Sequence, residues 1–172
     1  GYTFAGWDGY TDGDKMGAAD ATFTAQWNIN QYTVTWIVDG STIEETEYDY
    51  GETIVVPADP EKAGYVFNGW DPAVVATMGA ADVTYTATWA NATDTPYTIE
   101  TYKMAADGTY GAPETTDTKY GETGKEVTAS YTEDAGFQLD AANSELTKTI
   151  EADGSTVLKV YLARLSYKVT TD

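Results

Sequence analysis

One block of sequence occurs twice in this chain, and the duplication constrains the fold more than any other feature. GYTFAGWD followed by MGAADATFTAQW spans Gly1 to Trp27, and GYVFNGWD followed by MGAADVTYTATW spans Gly64 to Trp89. The two copies are offset by 62 or 63 residues, with one residue of slack in the loop between the blocks. Each copy of such a repeat is one supersecondary unit. The chain is therefore a repeat protein whose first unit is half a repeat.

The repeat period divides the 172 residues into four parts. The predicted parts are the C-terminal half of a truncated repeat at 1–30, a complete repeat at 31–90, a longer related β repeat at 95–165, and the start of a following repeat or a tail at 166–172. A short polar bridge separates the second part from the third. We expect the chain to be a segment of a longer polypeptide.

Composition favours β structure. Aromatic residues make up 13% of the chain, Thr is abundant and Leu is scarce, which is typical of short, half-buried strands. Dipeptides that supply the positive φ angles of tight hairpin turns recur along the chain. They are the Asp-Gly pairs that begin at Asp8, Asp12, Asp39, Asp107 and Asp153, and the Asn-Gly pair at Asn68. We predict a mainly β protein of small units arranged end to end.

Strands can be predicted from the alternation of side chains. Apolar and Thr residues alternate over Tyr32–Val38 and Val83–Trp89, so each strand should have one core face and one wet face. Thr156–Arg164 has apolar residues on both faces, which indicates a central strand. We expect at most one short helix per unit, at Val74–Ala81 or Val127–Asp134.

The aromatic residues of these patterns are the predicted structural core. Several of them occupy alternating, core-facing positions, and others recur between the two copies of the duplicated block. The predicted core residues are Trp7, Trp27, Trp36, Tyr65, Phe67, Trp70, Tyr85 and Trp89.

Charge limits the partners of the chain. The net charge is −19 with no His, and the complete repeat has ten acidic residues against the single base Lys62. Nucleic acid is an unsuitable partner, because its binding relies on Lys and Arg neutralising phosphates. An anionic membrane surface is disfavoured for the same reason. No apolar run of about 18 residues is present, so we expect no membrane insertion.

The chain has no Cys. Secreted animal domains of this size often use disulfides. An acidic β repeat without Cys and rich in Thr and Tyr therefore points to a bacterial surface protein, particularly one of a Gram-positive organism.

Five separated blocks of the complete repeat resemble a known family. They are Tyr32-Thr-Val-Thr-Trp36, Tyr50-Gly51-Glu52-Thr53, Pro57, the run PEKAGYVFNGW at Pro60–Trp70, and Tyr85-Thr-Ala-Thr-Trp89. Their order and spacing resemble the Listeria-Bacteroides repeat, which includes the B-repeat of internalin-type proteins. The third unit resembles a mucin-binding-like repeat of Firmicutes surface proteins, through Tyr97–Tyr102, Gly121–Gly124 and Asp153–Arg164.

The resemblance implies a structural role. It implies a β-grasp-like (ubiquitin-like) unit, in which a mixed sheet folds over a short helix. It implies that such units stand in tandem between an N-terminal ligand-binding head and a C-terminal wall anchor that is not part of this chain. It implies neither enzymatic activity nor a cofactor. The expected location is extracellular, on the bacterial cell surface.

Few residues of the chain are suited to catalysis or to metal binding. Without His and Cys the chain lacks the commonest general base, the thiol nucleophile and the usual zinc ligands. A catalytic pair of carboxylates, as in glycosidases, remains an alternative, since 28 acidic residues offer many pairs. Asp8, Asp12 and Asp14 share one loop and are weak calcium candidates, because their spacing does not fit an EF-hand.

Two further sites are alternatives to a purely structural reading. Tyr48, Tyr50, Tyr110 and Tyr120 are less constrained by the strand pattern and are the candidates for an exposed sugar-binding platform. Lys103 and Asn143 are the candidates for an isopeptide crosslink, with an acid such as Glu100 nearby in sequence.

The sequence therefore predicts a non-catalytic, monomeric stalk of an adhesin-like surface protein. Its partners would be the neighbouring repeats of the same polypeptide. The alternative is a binding module that recognises a glycan or host protein through exposed Tyr and Trp residues.

Overall fold

The computed structural model describes residues 1–13, 15 and 17–166. The described chain is built of strands and contains no helix. The strands are β1 (Tyr2–Asp8), β2 (Thr24–Ile29), β3 (Gln31–Val38), β4 (Ser41–Asp49), β5 (Tyr65–Asp71), β6 (Val83–Asn91), β7 (Thr95–Lys103), β8 (Thr115–Gly121), β9 (Glu126–Thr128), β10 (Phe137–Leu139), β11 (Thr147–Thr149) and β12 (Val157–Arg164). The predicted β class is thereby confirmed.

The chain divides into two compact units. Unit 1 comprises Gly1–Pro60 and Asn68–Thr88, and unit 2 comprises Glu61–Phe67 and Trp89–Asp172. The residues that follow Ser166, which include most of the expected tail at 166–172, lie outside the described part of the chain.

The complete repeat forms a four-stranded mixed sheet in the order β4-β3-β6-β5. Its two central strands, β3 and β6, run parallel, with Val34 opposite Val83 and Trp36 opposite Tyr85. β4 runs antiparallel to β3 and forms one edge of the sheet.

The Asp39-Gly40 pair makes the turn between β3 and β4. Both residues have positive φ angles, 49° for Asp39 and 79° for Gly40. A two-residue turn with this backbone matches the natural twist of the flanking strands, and Asp-Gly is a preferred sequence for it. The predicted turn signal therefore sets the register of the β3-β4 hairpin.

The core of unit 1 lies on one face of this sheet. Trp36 is fully buried, with the Tyr85 ring stacked on it at a centroid distance of 4.7 Å and the Trp70 ring edge-on at 4.8 Å. The other buried members of the cluster are Val34, Tyr48, Ile54 and Met78. The alternation predicted for β3 and β6 places Val34, Trp36 and Tyr85 inside.

Residues 1–30 form a two-stranded antiparallel sheet of β1 and β2. Phe4 lies opposite Trp27, and the register shifts between Phe4 and Gly6, which adopts a φ of 120°. The shift is a β-bulge at a glycine, which allows the strand to kink.

In unit 2, a four-stranded sheet has the order β10-β12-β7-β8. β12 is an interior strand, parallel to β7 and antiparallel to β10, which agrees with the prediction of a central strand. Leu158, Val160 and Leu162 of β12 are buried with Ile99 of β7. A separate pair, β9 and β11, completes the described strands of the unit.

Both helix predictions are wrong. Residues 74–81 form a loop that makes backbone hydrogen bonds with the segment after β4, including Met78 N–H to the Glu52 carbonyl at 2.8 Å. Val127 lies in β9, and the residues after Thr128 up to Asp134 are irregular. Backbone groups of both segments pair with residues of other loops, as the Ala129 amide does with the Leu146 carbonyl at 2.7 Å, so a helix is not needed to pair them. The β-grasp detail stays a prediction.

Candidate functional site

The N-terminal hairpin exposes a face of large aromatic side chains, which we call the hairpin aromatic face: Phe4, Trp7, Phe23 and Trp27. Phe4 makes edge-to-face contacts with both Trp7 and Trp27, at centroid distances of 5.6 and 5.5 Å. Trp7 is 51% exposed and Trp27 is 58% exposed. The prediction placed both tryptophans in a core. The structure differs because β1 and β2 form a two-stranded sheet, whereas the complete repeat has a four-stranded sheet in which Trp36 packs on Trp70 and Tyr85.

The other predicted core residues lie inside or at the margin of a core. Trp36 and Tyr85 are buried, whereas Trp70 is partly buried and packs against the cluster of unit 1. In unit 2, Phe67 contacts Trp89 edge-on at 5.9 Å, and the Lys62 ammonium lies over the rings of Tyr65 and Trp89. These residues pack against one another rather than forming an open binding platform.

The four candidate platform tyrosines are dispersed. Tyr48 lies in the core of unit 1, 5% exposed, so it cannot contact a ligand. Its hydroxyl accepts a hydrogen bond from the Val55 amide at 3.2 Å. Tyr120 and Tyr50 are exposed, whereas Tyr110 is partly buried.

A tyrosine cluster in unit 2 was missed by the sequence analysis. Tyr102 of β7 and Tyr161 of β12 are register partners, and their rings stack at a centroid distance of 4.4 Å. Tyr110 meets Tyr161 edge-on at 4.8 Å. The signal that could have found it is the alternation of β12, since Tyr161 points away from the buried face of Val160 and Leu162.

Two of these tyrosine hydroxyl groups donate hydrogen bonds to carboxylates. The Tyr102 hydroxyl donates to Glu100 at 2.5 Å, and the Tyr110 hydroxyl donates to Asp140 at 2.9 Å. The bond to Glu100 is the main cause that raises the pKa of Tyr102 to about 12. Burial, followed by the bond to Asp140, raises the pKa of Tyr110 to about 12. Both groups therefore stay protonated at neutral pH and serve as structural donors.

Lys103 and Asn143 each have other partners. The Lys103 ammonium pairs with Asp134 at 2.5 Å and Glu114 at 2.9 Å. Hydrogen bonds to these two carboxylates raise the pKa of Lys103, which keeps the amine protonated and poorly nucleophilic. The Asn143 side-chain amide donates to Asp140 at 2.7 Å. The crosslink stays a prediction that the intact mass of the chain can test, since it would release one ammonia.

The acidic turn after β1 gives little support to the predicted calcium site. Asp8 ends β1 and Asp12 lies in the following turn, while Asp14 falls outside the described residues. Across residues 1–13, 15 and 17–166, no group of three or more acidic side chains is arranged to hold a metal ion. The same range contains no helix that is long and apolar enough to cross a membrane.

The complete repeat is similar in sequence to known proteins. Residues 32–109 match the Listeria-Bacteroides repeat domain. This confirms the resemblance over the complete repeat. A protein of Evansella cellulosilytica that is named as a Gly-rich membrane protein is 43% identical to this chain, over 41% of this chain and 9% of its own length. Internalin H of Listeria monocytogenes is 42% identical over 41% of this chain and 14% of its own length.

Two solved structures are also similar to the chain. A pair of streptococcal SHIRT domains from a cell surface protein is 15% identical, covering 78% of this chain and 98% of that one, with a TM-score of 0.29. The type 2 repeat of the mucus binding protein MUB from Lactobacillus reuteri is 14% identical, covering 79% of this chain and 100% of that one, with a TM-score of 0.21. The chain spans about a tenth of the length of the curated relatives it matches.

Proposed function

We propose that this chain is a segment of the non-catalytic stalk of a bacterial cell-surface protein, in which each repeat adds length between the cell wall and a distal functional domain. The observation that carries the proposal is the duplicated block together with the matched repeat domain at residues 32–109. Repeats in series extend a polypeptide without needing a ligand.

The disposition of the side chains supports this proposal. The aromatic residues of the complete repeat are used for packing, with the Trp36 ring in contact with both Tyr85 and Trp70. The polar groups with perturbed pKa values in unit 2 are engaged with one another, as in the bonds of Tyr102 to Glu100 and of Tyr110 to Asp140. Groups that are already paired are poor candidates for acid-base work on a substrate.

Location on the outer surface of a Gram-positive cell is part of the same proposal. The absence of Cys, the excess of acidic residues and the relation to Internalin H are its supports. A high net negative charge keeps a protein soluble and limits self-association, which fits a chain that acts as a monomer beside other repeats.

The second candidate function is a binding module for a glycan or a host protein. The exposed rings of Trp7, Trp27 and Tyr120 favour it, since exposed aromatic patches often mark interaction sites. The two functions differ in whether the isolated chain has a ligand.

Direct binding to mucin and to a panel of immobilised glycans separates the two candidates. The stalk proposal expects the purified chain to give the same signal as its Trp7→Ala/Trp27→Ala variant, at background. Saturable binding by the wild-type chain that the double variant loses would instead support the binding module. A Tyr120→Ala variant serves as the matched test of the exposed tyrosine in unit 2.

A further inference from the structure

Two tyrosine rings lie face to face on adjacent strands of unit 2. Tyr102 of β7 and Tyr161 of β12 are register partners in a parallel pair of strands. Their rings stack at a centroid distance of 4.4 Å with an interplanar angle of 11°. Neighbouring strands of a sheet are held at a fixed spacing by their backbone hydrogen bonds. The strand register therefore keeps the two rings side by side, prearranged for a reaction between them.

The stacked pair lies outside the core. Tyr161 stands between Val160 and Leu162 in β12, and both of those neighbours are buried. Because successive side chains of a strand point to opposite faces, the Tyr161 ring lies on the face away from this core. Tyr102 and Tyr161 are both half-buried. Small oxidants in the solvent can therefore reach the pair.

A carboxylate accepts a hydrogen bond from one of the two phenols. The Tyr102 hydroxyl donates to Glu100 at 2.5 Å, a length typical of an O–H donor with a charged acceptor. This bond is the main cause that raises the pKa of Tyr102 to about 12, so the phenol is protonated at neutral pH. A phenol that loses an electron becomes a strong acid, and its proton must leave as well. Glu100 is in position to accept that proton.

A third tyrosine extends the cluster. The Tyr110 ring meets Tyr161 edge-on at 4.8 Å, and its hydroxyl donates to Asp140 at 2.9 Å. Tyr161 thus contacts two phenols, each of which has a carboxylate as its acceptor. Aromatic rings in contact can exchange an electron, so a radical that forms on either outer ring can move to Tyr161.

We propose that Tyr102 and Tyr161 form an oxidation site, at which a one-electron oxidant derived from hydrogen peroxide joins the two rings as dityrosine. Each phenol loses one electron and one proton, and the proton of Tyr102 leaves through Glu100. A bond then forms between the ring carbons ortho to the two hydroxyl groups. The hydrogens on these carbons move to the phenolic oxygens, which restores both hydroxyl groups. The two electrons and two protons that were removed reduce one hydrogen peroxide to two molecules of water.

The new bond connects strands that are distant in sequence. β7 and β12 are the two interior strands of the β10-β12-β7-β8 sheet, and the bond closes the chain between residues 102 and 161. Closing a long segment covalently restricts the unfolded chain, as a disulfide does, and so stabilises the fold. The chain has no Cys, so dityrosine supplies a restraint that disulfides cannot supply here. This use rests on the proposed location outside the cell, whereas the reaction itself does not.

Oxidation of the purified chain tests the proposal. The chain is treated with a peroxidase and limiting hydrogen peroxide at low protein concentration. The monomer is then isolated by size-exclusion chromatography, digested, and examined by fluorescence and mass spectrometry. The expected product is a monomer with dityrosine fluorescence, in which the peptides that carry Tyr102 and Tyr161 are joined with the loss of two hydrogen atoms. Tyr102→Phe and Tyr161→Phe should each abolish this joined peptide.

A Glu100→Gln variant separates the carboxylate from the ring stack. Gln has nearly the same shape and can accept a hydrogen bond, but it cannot take up a proton at neutral pH. The substitution is expected to slow formation of the joined peptide by at least about tenfold, a small part of what a positioned proton acceptor can contribute. A purely structural role of the stack would leave this rate unchanged.

A second tyrosine pair is the matched internal control. The rings of Tyr2 and Tyr50 meet edge-on at 5.7 Å, and both side chains are exposed. If exposure alone selected the reacting tyrosines, these two would be joined first. The proposal expects their joined peptide to be the minor product in the same digest.

Three outcomes would overturn the proposal. One is oxidation of other tyrosines in a monomer that contains no peptide joining Tyr102 to Tyr161. Another is a larger yield of the peptide joining Tyr110 to Tyr161, or of that joining Tyr2 to Tyr50. The third is an equal rate in the wild-type chain and the Glu100→Gln variant, because the carboxylate would then not accept the proton.

Discussion

At the scale of single residues, Trp36 organises the core of unit 1. It is fully buried and contacts both Tyr85 and Trp70 through its ring. Trp27 of the N-terminal hairpin, which matches Trp89 in the duplicated block, has the same chemistry but is 58% exposed. Burial, rather than residue type, therefore decides which tryptophan stabilises the fold.

Trp36→Ala should lower the free energy of unfolding of unit 1 by about 3 to 5 kcal/mol, the usual cost of removing a buried large aromatic side chain. Trp27→Ala is the matched control and should change it by less than about 0.5 kcal/mol, as at other exposed positions. Urea unfolding followed by near-ultraviolet circular dichroism measures both. Equal effects of the two substitutions would contradict the assigned core.

Because Tyr102 and Tyr110 are hydrogen-bonded to carboxylates, we expect the stability of the folded chain to fall at alkaline pH. The pKa of Tyr102 and of Tyr110 is raised from 10.0 to about 12 in the folded chain. Because the raised pKa favours the protonated phenol in the folded state, the stabilisation from these groups is complete below pH 10 and is lost as pH rises from 10 towards 12.

Absorbance of tyrosinate during an alkaline titration should show a late phase from Tyr102 and Tyr110 as the pH approaches 12. Tyr102→Phe and Tyr110→Phe should each remove part of this late phase. A titration curve without a late phase, which neither substitution changes, would contradict the hydrogen bonds to Glu100 and Asp140.

At the scale of elements, the bridge between the second and third parts of the chain is shorter and more buried than its composition indicates. β6 ends at Asn91 and β7 begins at Thr95. Ala92 and Thr95 are both buried in unit 2, and the Ala92 carbonyl accepts a hydrogen bond from the Thr123 amide at 2.9 Å. A segment predicted as a polar connection is thus packed structure.

The buried hydroxyl pair of this element gives a double-mutant prediction. Thr95 and Thr123 are each 4% exposed, and their hydroxyl oxygens lie 2.6 Å apart. Thr95→Val alone should destabilise unit 2 by about 1 to 3 kcal/mol, because the Thr123 hydroxyl is left buried without this partner.

The double variant Thr95→Val/Thr123→Val should be more stable than either single variant, since no unpaired hydroxyl remains. Urea unfolding monitored by far-ultraviolet circular dichroism supplies the three free energies. Additive losses in the double variant would show that the two hydroxyl groups are not coupled.

Strands and turns were predictable because their signals are local. The alternation of Tyr32–Val38 and the Asp39-Gly40 pair predict β3 and its turn from neighbouring residues alone. The helix predictions failed because the backbone of residues 74–81 is paired with the segment after β4, a contact between residues distant in sequence. The exposure of Trp7 and Trp27 also depends on distant strands, so the shared motif could not reveal it. Tyr48 lies in the core for the same kind of reason.

At the scale of the whole molecule, the chain is organised by the repetition of one sequence block. The two copies of the duplicated block differ in exposure, since Trp7 is 51% exposed and the matching Trp70 packs against the core cluster of unit 1. In unit 1, Val34, Trp36 and Tyr85 share one buried cluster with Tyr48, Ile54 and Met78. Such a unit can be placed in series with others and add length at each step.

The most direct test of the stalk proposal is to display the chain on cells. Zero, one or two copies are inserted between a wall-anchoring sequence and a small reporter domain on a Gram-positive cell, and the distance of the reporter from the wall is measured by fluorescence localisation. A Trp36→Ala version of each insert controls for folding of unit 1. The account predicts that the distance increases with each intact copy and that cells carrying the chain with an inert tip do not adhere to mucin. A distance that does not change with copy number, together with mucin adhesion conferred by the chain alone, would contradict it.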